Sequence, residues 1–128
     1  VKAAKKINFK TRLLLVTILT SISNSSVKKI GHTKPIKELV KRQALLAKEC
    51  GCHGIVCAGS DLKLVKKIFK GEIVTPGIRF KGSDAEDQKR VMSPKEAFKN
   101  GSTILVMGRS IIKGNIKKNI LKLIKELK

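Results

Sequence analysis

Glu72-Ile73-Val74-Thr75-Pro76-Gly77-Ile78-Arg79 is an apolar run that stops at a proline, then a glycine, then an arginine. Ile73, Val74 and Thr75 are β-branched, which predicts a strand over Glu72–Thr75. Pro76 has no N–H for a ladder and ends it. The run shows no polar alternation, so both faces are expected to be covered, as in a parallel sheet with helices packed on it. Gly77 lets the backbone come close to a ligand, and the guanidinium of Arg79 can hold a phosphate through two parallel hydrogen bonds. The same order recurs further on. Residues 102–107 read as a strand and are followed by Gly108-Arg109. One such pair is an ordinary turn. Two, in consecutive βα units, match the place where α/β barrels hold phosphates, between the loops after the last two strands.

Outward from that pair, strand and helix signals alternate along the chain. Residues 13–19 read as a strand and residues 21–26 as a polar turn. Pro35 opens a helix to Glu49 with Ile36, Leu39, Val40, Ala44 and Ala47 at helical spacing, and Gly51 ends it. Residues 54–58 form a second short strand, and Asp61 caps a helix reaching Phe69. A polar loop covers 77–92. Ser93-Pro94 then sets a capping residue before a proline at the first helical position, and Asn100-Gly101 closes that helix. The last helix spans 115–127, with Ile116, Ile120, Leu123, Ile124 and Leu127 on one side. Its lysines 113, 117, 118, 122, 125 and 128 would be solvated while the apolar stripe packs on the sheet. Four βα units predict one α/β domain over 1–128.

The 128 residues are too few for a full (β/α)8 barrel, which takes about 250. With four Phe and no Trp or Tyr, the core must be aliphatic. The formal charge of +20 would suit a polyanion, yet no aromatic residues interleave with the lysines to stack bases. No specific nucleic-acid partner and no membrane partner are therefore expected. Three cysteines without framework spacing point to a reducing, cytoplasmic setting. Cys50, Cys52, His53 and Cys57 lie close together but lack a second knuckle. They read as small buried hydrophobes, with no metal and no cofactor expected. A basic start before residues 13–22 imitates a secretory signal, but this segment is also the first strand of a continuing series and is read as such. No apolar run approaches the length of a membrane span.

With these elements in place, the motifs V-T-I-L-T-S at 16–21, G-I-V-C at 54–57, V-T-P-G-I-R at 74–79, D-Q-K-R-V-M at 87–92 and V-M-G-R at 106–109 resemble the orotidine 5'-monophosphate decarboxylase family in order and spacing. The resemblance implies the C-terminal half of a (β/α)8 TIM barrel, with residues 13–19 as strand five and 102–107 as strand eight. It implies a ligand of the orotidine or uridine 5'-monophosphate type. Thr20 would meet the pyrimidine amide edge, Arg79 the phosphate, and Gln88 would close over phosphate and base. Gly108 and Arg109 would complete the phosphate cradle.

Members of that family decarboxylate without a cofactor, using a lysine between aspartates in a D-x-K-x-x-D motif. The chain has none. Its imitation, Asp61-Leu62-Lys63-Leu64-Val65-Lys66, ends in lysine and reads as the start of a surface helix. The expected activity is thus that of a decarboxylase half in pyrimidine synthesis that carries the binding residues but no catalytic ones. The alternative is an inactive remnant, or a basic protein turned to nucleoside monophosphates, nucleic acid or anionic membrane. Four strands cut from a barrel leave two open edges, so association with an N-terminal half-barrel or with a second copy is expected.

Overall fold

The computed structural model describes residues 1–7, 10–80 and 92–128. After a short helix α1 (Lys2–Ile7), four strands follow: β1 (Leu14–Val16), β2 (Gly54–Val56), β3 (Glu72–Thr75) and β4 (Ile104–Leu105). All pairs are parallel and the sheet order is β1-β2-β3-β4, the order of the sequence. Each strand therefore joins the previous one through a crossover on the same side, the winding of a barrel rather than of a doubly wound sheet. The crossovers are α2 (Asn24–Lys29) with α3 (Ile36–Glu49), then α4 (Leu62–Ile68), then α5 (Pro94–Lys99). Two helices follow β4: α6 (Arg109–Ile112) and α7 (Ile116–Leu127).

The register explains which face carries the core. Leu15, Ile55 and Ile73 lie side by side across β1–β3 and face the helices. Ile55 and Ile73 are fully buried there with Val40, Ala44 and Ala47 of α3 and Leu62 and Val65 of α4. This is the aliphatic core the composition required. The next row, Val16–Val56–Val74–Ile104, points the opposite way because side chains alternate along a strand. Its outer members Val16 and Ile104 stay 53% and 43% exposed, while Val74 between them is buried. Both faces of the sheet are apolar, as the uninterrupted strands predicted, but the second face is open at its two ends.

The helix stops follow glycine chemistry. Gly51 (φ 66°) follows the end of α3; its N–H donates to Lys48 O at 3.1 Å and that of Cys52 to Ala47 O at 2.9 Å. A residue with a Cβ adopts that left-handed backbone at a cost, which glycine avoids. The start of α5 is a full capping box: Ser93 Oγ accepts from Glu96 N at 3.4 Å and Glu96 Oε2 accepts from Ser93 N at 3.2 Å.

Four expectations need correction. Residues 24–29 are not a turn but the helix α2, capped by Ser23 and stopped at Gly31. Its six residues hold no apolar stripe to announce them. The segment after Gly77 is not uniformly polar: Ile78 and Phe80 are buried, Ile78 bridging to Met92. The Asp61–Lys66 stretch is no surface start, because Asp61, Leu62 and Val65 are buried, and Asp61 sits at the cap position of α4 without a side-chain cap bond. Finally, α7 does not lay its stripe on the sheet. None of its residues is buried, and Ile116, Ile120, Ile124 and Leu127 are exposed. The helix is instead held at its start and flank. Asn119 Nδ2 donates to the carbonyls of Ile111 and Lys113, each at 2.9 Å, and the Lys122 ammonium lies 4.6 Å from the centre of the Phe80 ring.

Candidate functional site

The C-terminal ends of the strands carry the site. Chain leaving β1 runs Thr17-Ile18-Leu19-Thr20-Ser21 along one wall of a cleft of about 280 Å³. Val56, Cys57 and Ala58 from the end of β2 and Pro76 from the end of β3 line the rest. Thr17 fixes the first wall, its N–H donating to Val56 O at 3.0 Å and its Oγ1 to the same oxygen at 2.9 Å. Thr20 is buried and lines the cleft.

Beyond Pro76 the chain turns at Gly77 (φ 75°) and reaches Arg79, whose N–H donates to Met92 O at 3.1 Å. That bond and the Ile78–Met92 bridge pin the loop base beside the start of α5. The half-buried Arg79 side chain crosses to the next βα loop, where Nη1 donates to Ser110 Oγ at 3.3 Å. Gly108 caps α6 and Arg109 is its first residue, so the Arg79–Ser110 bond ties the β3 loop to the chain segment that carries them. A Cβ at Gly108 would meet nothing within 4 Å, so its backbone faces open space that a ligand can enter. Gln88 lies outside the described residues. Ser110 is the residue the sequence reading passed over. A hydroxyl directly after a Gly-Arg pair was the available signal, and its role depends on an arginine 31 positions earlier.

Cys57 is part of the cleft wall and almost fully buried. Burial, and then the negative charge of Asp61, push its thiol up to about 12, so it is an unreactive thiol rather than a nucleophile. His53 is likewise structural: its Nδ1 accepts the Leu13 N–H at 3.0 Å. Among the described residues no three metal-ligating side chains cluster. None of the described helices is long and apolar enough to cross a membrane.

A parallel sheet wound in sequence order, with one face open and glycine-bearing loops gathered at the strand ends, defines the class as a partial α/β barrel. The comparisons with known proteins name the family. Residues 1–124 match the model of the Orotidine 5'-phosphate decarboxylase / HUMPS family, and the chain belongs to that family. Among curated relatives, it is 46% identical over 102 residues to orotidine 5'-phosphate decarboxylase of Methylobacterium nodulans, a match covering 78% of this chain and 43% of that protein. It is 43% identical over 115 residues to the Coxiella burnetii enzyme of the same name, covering 87% and 49%. Among solved structures, orotidine 5'-phosphate decarboxylase from Lactobacillus acidophilus superposes with a TM-score of 0.72 at 32% identity, over 91% of this chain and 49% of that one. An uncharacterized conserved protein from Geobacillus kaustophilus gives 0.71 at 26% identity, over 91% of this chain and 49% of that one. The chain thus spans about half the length of the relatives it matches.

Proposed function

We propose that the chain is the monophosphate- and pyrimidine-binding part of an orotidine 5'-phosphate decarboxylase-like protein, acting in pyrimidine nucleotide synthesis in the cytoplasm. The observation that carries this reading is the Arg79–Ser110 bond, which ties a guanidinium of the β3 loop to the helix that starts directly after Gly108. Arg79 binds the phosphate of an orotidine or uridine 5'-monophosphate, with Gly108 and Arg109 beside it. Thr20, in the cleft behind Pro76, meets the pyrimidine edge. Gln88 belongs to the same site by resemblance.

Chemistry needs more than this grip. The family's reaction relies on a lysine ammonium held between aspartates, which protonates the carbon losing carbon dioxide. Fixed charges around it favour the transition state over the substrate carboxylate. The sequence contains no D-x-K-x-x-D. On this reading the chain binds product-like monophosphates but decarboxylates only when those residues come from elsewhere.

Calorimetric titration separates this from non-specific polyanion binding. Uridine 5'-monophosphate should bind and uridine should not. A charged hydrogen bond contributes about 1.5–3 kcal/mol, so Arg79→Ala should weaken the monophosphate by about 10- to 150-fold or more. Lys125→Ala should leave it unchanged. Equal losses in both variants, together with a steep fall in affinity with salt, would sink the reading.

A further inference from the structure

Arg79 belongs to a circuit of contacts that runs out to α7 and returns to it. Its guanidinium donates to Ser110 Oγ of α6 at 3.3 Å. The next residue, Ile111, offers its carbonyl to Asn119 Nδ2 of α7 at 2.9 Å, and the same amide group reaches the Lys113 carbonyl. Three residues beyond Asn119, the Lys122 ammonium lies 4.6 Å from the centre of the Phe80 ring. Phe80 is buried and follows Arg79 directly in the chain. The side chain of the arginine and the backbone next to it are thus tied to the same pair of helices. Two details set these ties apart from incidental surface contacts. Lys122 shares a crevice with Glu96 and Glu126, yet among the described residues it forms an ion pair with neither and lies over the ring. Asn119 donates to two carbonyls at the end of α6, where a helix has no N–H of its own left to satisfy them. Since α7 buries none of its residues, such directional contacts weigh heavily in setting its place.

We propose, resting on the reading of Arg79 as the phosphate ligand, that Phe80, Asn119 and Lys122 are positioning residues which hold its guanidinium in place before a monophosphate arrives. An arginine side chain free in water gives up many rotamers when it takes hold of an anion, and one already fixed binds more tightly through the same contacts. Asn119 sets α7 against α6, Lys122 brings α7 over the Phe80 ring, and the held ring fixes the chain beside Arg79. None of the three touches the ligand. Lys122 therefore acts through Phe80 and not by attracting the phosphate across space, a distinction that a double-mutant cycle reads directly.

The test titrates uridine 5'-monophosphate calorimetrically into the full chain and into Lys122→Met, Phe80→Leu and the double variant. Methionine keeps the stem without the charge, and leucine keeps an apolar side chain without the ring face. A cation over an aromatic ring at an exposed site corresponds to about a two- to fivefold change in affinity, so each single variant should weaken binding by about that much. The double variant should lose no more than Phe80→Leu alone. Lys122→Arg, which keeps a cation over the ring, should bind like the original chain, and so should Lys118→Met, which removes an equal charge from the same helix. A second measurement needs no ligand. The Arg79 Nε–H signal of the free protein, assigned by its loss in Arg79→Ala, should stand apart from that of a solvated arginine. It should move toward that position in Lys122→Met and Asn119→Ala while circular dichroism stays unchanged. Losses that add in the double variant would overturn the proposal, as would an Arg79 signal that neither variant moves. If the original chain binds no monophosphate, the ligand reading fails, and the Arg79 signal alone decides whether α7 holds the guanidinium.

Discussion

Ile73 and Ile104 are the same residue type on adjacent strands, facing opposite sides of the sheet, and their replacement by alanine measures which side holds the fold. Ile73 is fully buried among the helix-facing residues, whereas Ile104 keeps 43% of its surface in water. Removing three carbons forfeits about 0.8 kcal/mol each when they are fully buried, roughly 2.4 kcal/mol in all. At Ile73 a cavity is added, because helices on one side and strands on the other limit collapse, giving about 2–5 kcal/mol. At Ile104 little more than half of the transfer contribution is lost and water fills the gap, so the cost is about 1–1.5 kcal/mol. With a urea m-value of about 1–2 kcal/mol per molar, the unfolding midpoint should fall by roughly 1–5 M for Ile73→Ala and about 0.5–1.5 M for Ile104→Ala. Circular dichroism during urea titration reads both, with m unchanged. If Ile104→Ala costs as much as Ile73→Ala, the open face is packed in the free protein and the two-faced account is wrong.

Three further predictions concern other parts of the fold. Cys57 should resist a thiol reagent at pH 8 while Cys50 and Cys52, half-exposed, react; equal rates at all three would contradict the burial of Cys57. Its raised pKa also sets a sign: the unfolded chain releases this proton near 9 and the folded one only at about 12. Stability should therefore decline as pH rises through that window, and the decline should be smaller in Cys57→Ala. Ser93→Ala removes the hydroxyl half of the capping box, leaving the Ser93 N–H to donate to Glu96, and should cost about 1 kcal/mol, read as a lower melting temperature with monophosphate binding intact.

Much of the architecture was legible in the residues. Glu72–Thr75 matched its strand residue for residue, because a proline ends it and β-branched side chains fill it. The Ser93 cap and the Gly51 stop were equally plain, being local chemistry. The outer strands came out shorter than read, β4 having two residues where six were expected. Apolarity marks what can be buried but not where pairing stops, and an edge strand lacks a second neighbour to extend its ladder. The placement of α7 was misread for a related reason. A helical stripe shows that something should cover it, and the sequence cannot say whether the cover lies within this chain. At the candidate site, glycine and arginine spacing singled out Arg79, Gly108 and Arg109 but not Ser110, since its contact with Arg79 exists only once two loops meet.

Whether a monophosphate sits at the meeting of the β3 and β4 loops is best read by amide chemical shifts during titration with uridine 5'-monophosphate. The account predicts that the largest changes fall on Gly77, Arg79, Gly108, Arg109 and Ser110, with smaller ones at Thr20, and that Arg79→Ala removes them. Inorganic phosphate should reproduce the arginine-loop shifts without those at Thr20. Shifts scattered instead over Lys117, Lys118, Lys122 and Lys125 of α7, and unchanged in Arg79→Ala, would mean that the ligand sees only a basic surface.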